Sequence, residues 1–239
     1  NTNKKIIINI KMLKKIQSEK FPKLLFSYIE EKRCLQIIIY NKEIQTSIGV
    51  TIENYKEVSG KYIVYETPNK AKEYWISTGK VIYDGDYLNG KRHGKGKEYY
   101  HYNGKLIFEG EFLNGKRNGK GKEFNGYTGK MEFDGEYKDG KRHGKGKEYY
   151  YNELLQFEGE YKDGKREGNG KEYYYNGNID YEGEFHDGER NGKGKEYYYN
   201  GILEFIGEYK DGKREGKGKE FYGDKLLYEG EYQYGRRKN

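Results

Sequence analysis

Cysteine is all but missing from this sequence: Cys34 stands alone among 239 residues. A single thiol excludes an intramolecular disulfide framework and any cysteine-based zinc site. Its surroundings are apolar and helically spaced, so Cys34 reads as buried filler in a protein of a reducing compartment. Long hydrophobic runs are missing too. Nothing approaches the ~18 apolar residues of a membrane span. The opening Lys4-Lys5-Ile6-Ile7-Ile8 is too short, and too soon followed by lysines, for a secretory signal. Proline occurs twice and histidine four times. His93, His101, His143 and His186 share no recurring geometry, which argues for solvated loops rather than metal or catalytic sites.

What the chain has instead is charge, glycine and tyrosine. Charged residues make up 36% and hydrophobic ones only 33%, a balance that by itself predicts disorder. The 29 tyrosines argue the other way, because each buries a large ring while keeping a polar tip wet. The 35 glycines supply the left-handed backbone that frequent tight turns need. The net charge of +7 is unevenly placed. Residues 1–57 hold 11 Lys/Arg against 6 Asp/Glu, whereas residues 58–239 hold 35 against 33. No single-sign stripe of the kind that tracks phosphates runs along the main body, which argues against a dedicated nucleic-acid binder.

Most of the chain is one unit copied in tandem. Numbered from an aromatic residue two before a glycine, the units begin at Tyr83, Phe108, Phe133, Phe157, Tyr181, Phe205 and Tyr228. The first reads YDGDYLNGKRHGKGKEYY. Glycine recurs at positions 3, 8, 12 and 14, and aromatics recur at positions 5 and 17. The first 18 positions never change length, and all variation falls in the connector, as expected of an array of structural modules. A degenerate leading copy starts at Val58, with Lys72-Glu73-Tyr74-Trp75 standing where Lys97-Glu98-Tyr99-Tyr100 stands in the next unit. The expected organisation is therefore a helical region over 1–57, a leading copy over 58–82, six full copies over 83–227, and a closing half copy of one unpaired strand over 228–239.

Alternation of apolar and charged residues in Tyr83-Asp84-Gly85-Asp86-Tyr87 predicts a strand. Asn89-Gly90, Asp139-Gly140 and Asp163-Gly164 predict hairpin turns. Each unit is then a hairpin, and successive hairpins pair into an antiparallel meander, since strands this short need neighbours. Two hairpin registers are compatible with the loop. One pairs Asp86 with Lys97, Glu111 with Lys122 and Glu136 with Lys147. The other gathers aromatics 1, 5 and 17 on one face, with the acids of positions 2, 4 and 16 behind. The second is favoured, because burying a ring contributes ~1.5–3 kcal/mol against ~0–1 kcal/mol for an exposed ion pair. It yields an open aromatic stripe of Tyr87, Tyr99, Phe112, Phe124, Tyr137, Tyr149, Tyr161, Tyr173, Phe185, Tyr197, Tyr209 and Phe221 as a partner-binding face.

The unit Tyr-Glu/Asp-Gly-Glu/Asp-Tyr/Phe-x-Asn/Asp-Gly-Lys-Arg-x-Gly-x-Gly resembles the MORN repeat (membrane occupation and recognition nexus), clearly over 82–239 and in degenerate form over 58–81. It departs at position 5, where Tyr or Phe replaces the family's frequent Trp. The resemblance implies a mainly β fold, an elongated and twisted antiparallel meander, here joined to a small α-helical N-terminal region. It implies a scaffold or docking surface in membrane-associated or cytoskeletal assemblies, cytoplasmic or peripheral to a membrane. Lipid binding is ascribed to the family. The basic tips that would touch anionic lipid are Arg92, Arg117, Arg142, Arg166 and Arg214, each near a lysine, at ~1 kcal/mol per basic residue.

Residues 1–57 change character. Glycine is absent before Gly49, and apolar residues fall at helical spacing in Leu24, Leu25, Tyr28 and Ile29 and again in Leu35, Ile38 and Ile39. The plain expectation is a helical cap on the first repeat. The segment Phe21-Pro22-Lys23-Leu24-Leu25 through Ile29 and Leu35 is also similar to the start of an F-box. That resemblance implies that Pro22, Leu24, Leu25, Ile29 and Leu35 would contact a ubiquitin-ligase linker subunit.

Catalytic readings fail on chemistry. Gly94-Lys95-Gly96-Lys97 lacks the Ser or Thr of a phosphate-binding loop, and the carboxylate pairs recur in every copy, unlike a singular acid–base site. The sequence therefore points to a non-enzymatic repeat scaffold without a cofactor or metal. Its partner is a protein or a second copy of itself, with a ubiquitin-ligase adaptor and a lipid-surface module as rival readings.

Overall fold

The computed structural model describes residues 60–238. The expected helices of 1–57, with Cys34 and the F-box-like residues Pro22, Leu24, Leu25, Ile29 and Leu35, lie outside the described residues. Among the described residues there is no helix. Sixteen strands, from Lys61–Thr67 and Lys70–Trp75 to Lys225–Gln233 and Arg236–Arg237, are hydrogen-bonded in chain order as an open antiparallel meander. The described residues fall into two compact units, one holding residues 60–63 with Tyr74–Gly79, the other Val64–Glu73 with Lys80 onward. In the first, Tyr62 stacks on Tyr74 with ring centroids 5.0 Å apart, and the Ile76 amide donates to the Gly60 carbonyl. The second contains the six full repeats.

Turn chemistry sets the register of every repeat. Asn89 and Gly90 both have positive φ, 51° and 71°, as a two-residue hairpin turn requires. That turn places Leu88 opposite Lys91 and Tyr87 opposite Arg92. A bulge follows in the second strand, with Gly94 at φ 58°, and pairing resumes as Gly85 with Gly96, Asp84 with Lys97 and Tyr83 with Glu98. Between Arg92 and Gly96 the bulge adds two residues relative to the partner strand, so odd positions of the first strand stay opposite even positions of the second.

Both registers expected from the sequence are thereby corrected. Lys97 lies opposite Asp84 rather than Asp86, and Lys122 opposite Glu109 rather than Glu111. The glutamate of position 16 shares a face with aromatics 1 and 5, while the aromatic of position 17 falls on the other face. The closing copy differs as well. Arg236–Arg237 folds back onto Gln233 and Tyr232, so the last long strand does have a short partner.

The core is a single file of rings. Tyr83, Phe108, Phe133, Phe157, Tyr181 and Phe205, all at position 1, are fully buried. Each meets edge-on the position-5 ring of its own unit and that of the next. Tyr83, for example, lies 5.5 Å from Tyr87 and 5.2 Å from Phe112. The herringbone continues without a break from Tyr65 to Tyr228. Such edge contacts add ~0.5–1.5 kcal/mol per pair beyond area burial.

Space for each position-1 ring comes from the paired glycines at positions 3 and 14. A methyl group added at Gly170 would come within 2.5 Å of Phe157 Cζ and 3.2 Å of Phe185 Cε2. Gly170→Ala is therefore expected to destabilise the array by ~1–3 kcal/mol through overpacking. In urea unfolding the midpoint should drop with little change in slope.

Candidate partner-binding surfaces

The first face of the sheet is a closed structural stack. Above each position-1 ring lies the guanidinium of position 10, with Arg117 4.1 Å from the Phe108 centroid, Arg142 4.2 Å from Phe133 and Arg166 4.1 Å from Phe157. Each of these arginines bridges two glutamates at position 16, one from the preceding unit and one from its own. Arg117 binds Glu98 at 2.6 Å and Glu123 at 2.5 Å, and Arg142 binds Glu123 at 2.6 Å and Glu148 at 2.8 Å. Arg92 does the same with Glu73 and Glu98, and Arg190 with Glu172 and Glu196. The ion-pair ladder runs unbroken from Glu73 through Arg214, and Arg237 meets Glu220 at its far end. The fork of arginine suits this bidentate, ring-stacked role better than the point charge of lysine.

This stack corrects two sequence-based expectations. Tyr87, Phe112, Tyr137, Tyr161, Phe185 and Tyr209 are 3–4% exposed, so they form core rather than an open docking stripe. Burial, reinforced by Glu123 and Glu148 respectively, raises the hydroxyls of Tyr137 and Tyr161 well above their ordinary pKa of 10.0. Arg92, Arg117, Arg142, Arg166 and Arg214 are 17–26% exposed and clamped, not loop tips reaching outward. Neighbouring Lys91, Lys116, Lys141, Lys165 and Lys213 occupy the exposed turns instead. The sequence did carry the missed signal. Position 10 is arginine in all seven copies, whereas position 9 varies among Lys, Glu and Arg.

The opposite face holds the open surface. There the glycine pairs leave bare backbone, and side chains of positions 2, 4, 13 and 15 stand beside it. Together they line a groove of about 1290 Å³ from Asp134 to Glu231. Most of its charges satisfy one another. Lys147 pairs with Glu158 at 3.3 Å, Lys171 with Glu182 at 3.5 Å and Lys219 with Glu229 at 3.0 Å, each lysine reaching the next unit. Where Ile206 replaces that acid, Lys195 turns back to Glu182 at 3.1 Å. Two position-4 carboxylates are engaged by the bulge, Asp86 accepting the Lys95 amide and Glu184 the Lys193 amide, while Glu160 and Glu208 of the groove face Lys145 and Lys193 across the adjoining strands. The position-13 ammonium groups of Lys145, Lys193 and Lys217 join no ion pair among the described residues.

The remaining predicted contact residues, Tyr99, Phe124, Tyr149, Tyr173, Tyr197 and Phe221, are half-buried. The Tyr173 hydroxyl donates to Glu158 and the Tyr197 hydroxyl to Glu182, both at 2.7 Å. These bonds lead the effects that lower the two carboxylates from 4.5, outweighing burial and aided by Lys147 and Lys195. In return, burial and Glu182 push Tyr197 up to about 12. Among the described residues, no group of three His, Cys, Asp or Glu side chains is placed to hold a metal ion.

A family model described as MORN repeat matches residues 83–101, 108–125, 133–153, 157–179, 181–202 and 205–226. No curated protein matches the chain. Among solved structures, TarM shares 12% identity over 70% of this chain and 26% of its own, with a TM-score of 0.20. A mutant of S. aureus TarM in complex with fondaparinux, alpha-GlcNAc-glycerol and UDP shares 9% over 64% of this chain and 21% of its own, at 0.19. The chain thus spans about a quarter of these proteins, and at such scores the likeness carries no argument.

Two outcomes follow from this geometry. Arg142→Gln removes a ring-stacked charge from between two carboxylates and is expected to cost ~1–3 kcal/mol in urea unfolding. Lys141→Gln, at the exposed turn beside it, should change stability by less than ~0.5 kcal/mol. Glu158 and Glu182 have folded-state pKa values below their ordinary value. Their stabilisation is therefore present above about pH 4.5 and lost as the pH falls through the lower folded values. Tyr197→Phe should lower the thermal midpoint near neutral pH, and the gap between the two proteins should narrow as the pH falls below about 4.5.

Proposed function

The chain belongs to the MORN repeat family, and from that premise we propose that it is a non-enzymatic protein-binding scaffold whose groove receives an extended, acidic segment of a partner. The supporting observation is the set of position-13 lysines. Lys145, Lys193 and Lys217 stand in the groove outside ion-pair distance of any carboxylate among the described residues, with Glu160, Glu208 and Glu231 facing them from the adjoining strands. Lys193 and Lys217 are one unit apart, or two strand spacings of ~4.7–4.9 Å each. Lys145 and Lys193 are two units apart. The six residues of extended chain that cover the same ~20 Å put their first and last side chains on one face, so carboxylates six residues apart in a partner meet both lysines. The bare glycine floor lets the partner's backbone approach closely, and the shallow, charged walls suit a reversible contact rather than a permanent one.

In this reading the protein works as a frame in a cytoplasmic assembly, one attached to a membrane or the cytoskeleton. The buried stack supplies rigidity, and the groove supplies recognition. Proximity labelling in the source cell, comparing the wild-type chain with Lys145→Glu/Lys193→Glu/Lys217→Glu, is the test. The variant should lose a defined set of partners while unfolding at the same urea concentration. Retention of every partner by a folded triple variant would overturn the groove reading. Substitutions at Tyr137 or Tyr161 cannot serve this purpose, because they remove core rings.

A further inference from the structure

A second surface lies at the strand ends, on the connectors between units. Three consecutive connectors share one anchoring bond, while their ring pairs pass from stacked to edge-on. The hydroxyls of Tyr150, Tyr174 and Tyr198 donate to the backbone carbonyls of Tyr173, Tyr197 and Phe221, at 2.6, 2.7 and 3.1 Å. Each anchored ring carries an exposed ring from the next connector. Tyr175 stacks on Tyr150 at 3.9 Å, Tyr199 meets Tyr174 at 5.2 Å, and Tyr222 meets Tyr198 at 6.2 Å. The outer rings are 54%, 58% and 70% exposed respectively, although aromatic neighbours hold them in place.

The two middle connectors are also uncharged, whereas the flanking ones carry Glu153 and the pair Asp224 and Lys225. Residues 173–179 and 197–203 contain no Asp, Glu, Lys or Arg, in a chain that is 36% charged overall. Fixed aromatic rings repeated at a regular step, on uncharged connectors at Tyr175 and Tyr199, are the chemistry of a platform for a stiff, weakly polar chain. The step identifies the chain. Successive platforms are two strands apart, or ~9.4–9.8 Å. One turn of a polyproline II helix, three residues at 3.1 Å each, spans ~9.3 Å.

We propose that this tyrosine row binds a proline-rich segment in the polyproline II conformation, one turn per platform, at a site separate from the groove. Such a ligand is already ordered in solution, so little conformational entropy is lost on docking to preformed rings. A neutral glucan shares the stacking chemistry but needs hydrogen-bond partners for its hydroxyls. The polar groups here are largely turned inward. The Asn152, Asn176 and Asn200 carbonyls accept amides of their own turns, and the Asn176 and Asn178 amides donate to Tyr199 O.

The experiment is fluorescence anisotropy of a labelled oligoproline of about ten residues titrated with the full chain. Saturable binding is expected, weakened ~10-fold or more by Tyr199→Ala and likewise by Tyr175→Ala, whose exposed positions leave the core intact. Tyr199→Phe keeps the ring and should bind within ~3-fold of wild type. The triple groove variant should bind oligoproline unchanged, which separates this site's failure from that of the groove. Absence of saturable binding to the wild-type chain would overturn the proposal, as would wild-type affinity in both alanine variants. Displacement of the peptide by cellohexaose at lower concentration would reassign the row to a neutral glucan.

Discussion

Everything in this sheet depends on a flat ring lying against backbone that has no side chain. A position-1 aromatic can reach zero exposure in a one-layer sheet only because two glycines, one on each strand, clear the surface beneath it. The guanidinium above completes the enclosure, and edge-on rings from its own unit and the next close the sides. Among the described residues the single layer of strands has no second sheet or helix to pack against. Here each repeat makes a small core of its own from one ring, two glycines and one arginine. That solution explains how a chain with so little aliphatic content stays folded: the burial is local, aromatic and repeated.

The same arrangement decides which surface is available for recognition. The face that holds the rings is spent on the stack, with its arginines and glutamates engaged with one another. Open chemistry is left to the reverse face, where the glycines expose backbone, and to the connectors, where tyrosines stand outward. The glycine pair makes room for the core on one side of the sheet, and the side chains of positions 2, 4, 13 and 15 wall the groove on the other.

Much of this was legible in the sequence. The hairpins, the turn dipeptides, the unit boundaries and the meander topology all follow from glycine spacing and from alternation in Tyr83-Asp84-Gly85-Asp86-Tyr87. The parity of the second strand was not legible. The loop from Asn89 to Gly96 contains a two-residue turn and a bulge, and the size of the bulge rests on backbone angles at Gly94 that residue types alone leave open. Because a strand's side chains alternate, that one unknown moved Glu98 onto the aromatic face and Tyr99 off it. Comparing ion-pair with ring-burial energies also misled, since the register adopted satisfies both at once. The arginines were misread for a related reason: Lys91-Arg92 looks like a basic tip until the turn sends one residue outward and the other across a ring.

Each inner glutamate of the ladder, from Glu98 to Glu196, is shared between two arginines drawn from adjacent repeats, and the contact is chemically the same at most joints. A recombination event that removed or duplicated one whole unit in frame would rejoin an arginine to a glutamate it already fits, and a position-5 ring to a position-1 ring it already meets. The gene can therefore change the length of its product in steps of about two strands without inventing a new interface. Array length is the inheritable variable that this architecture leaves free, and with it the number of groove lysines and outward tyrosines a partner encounters.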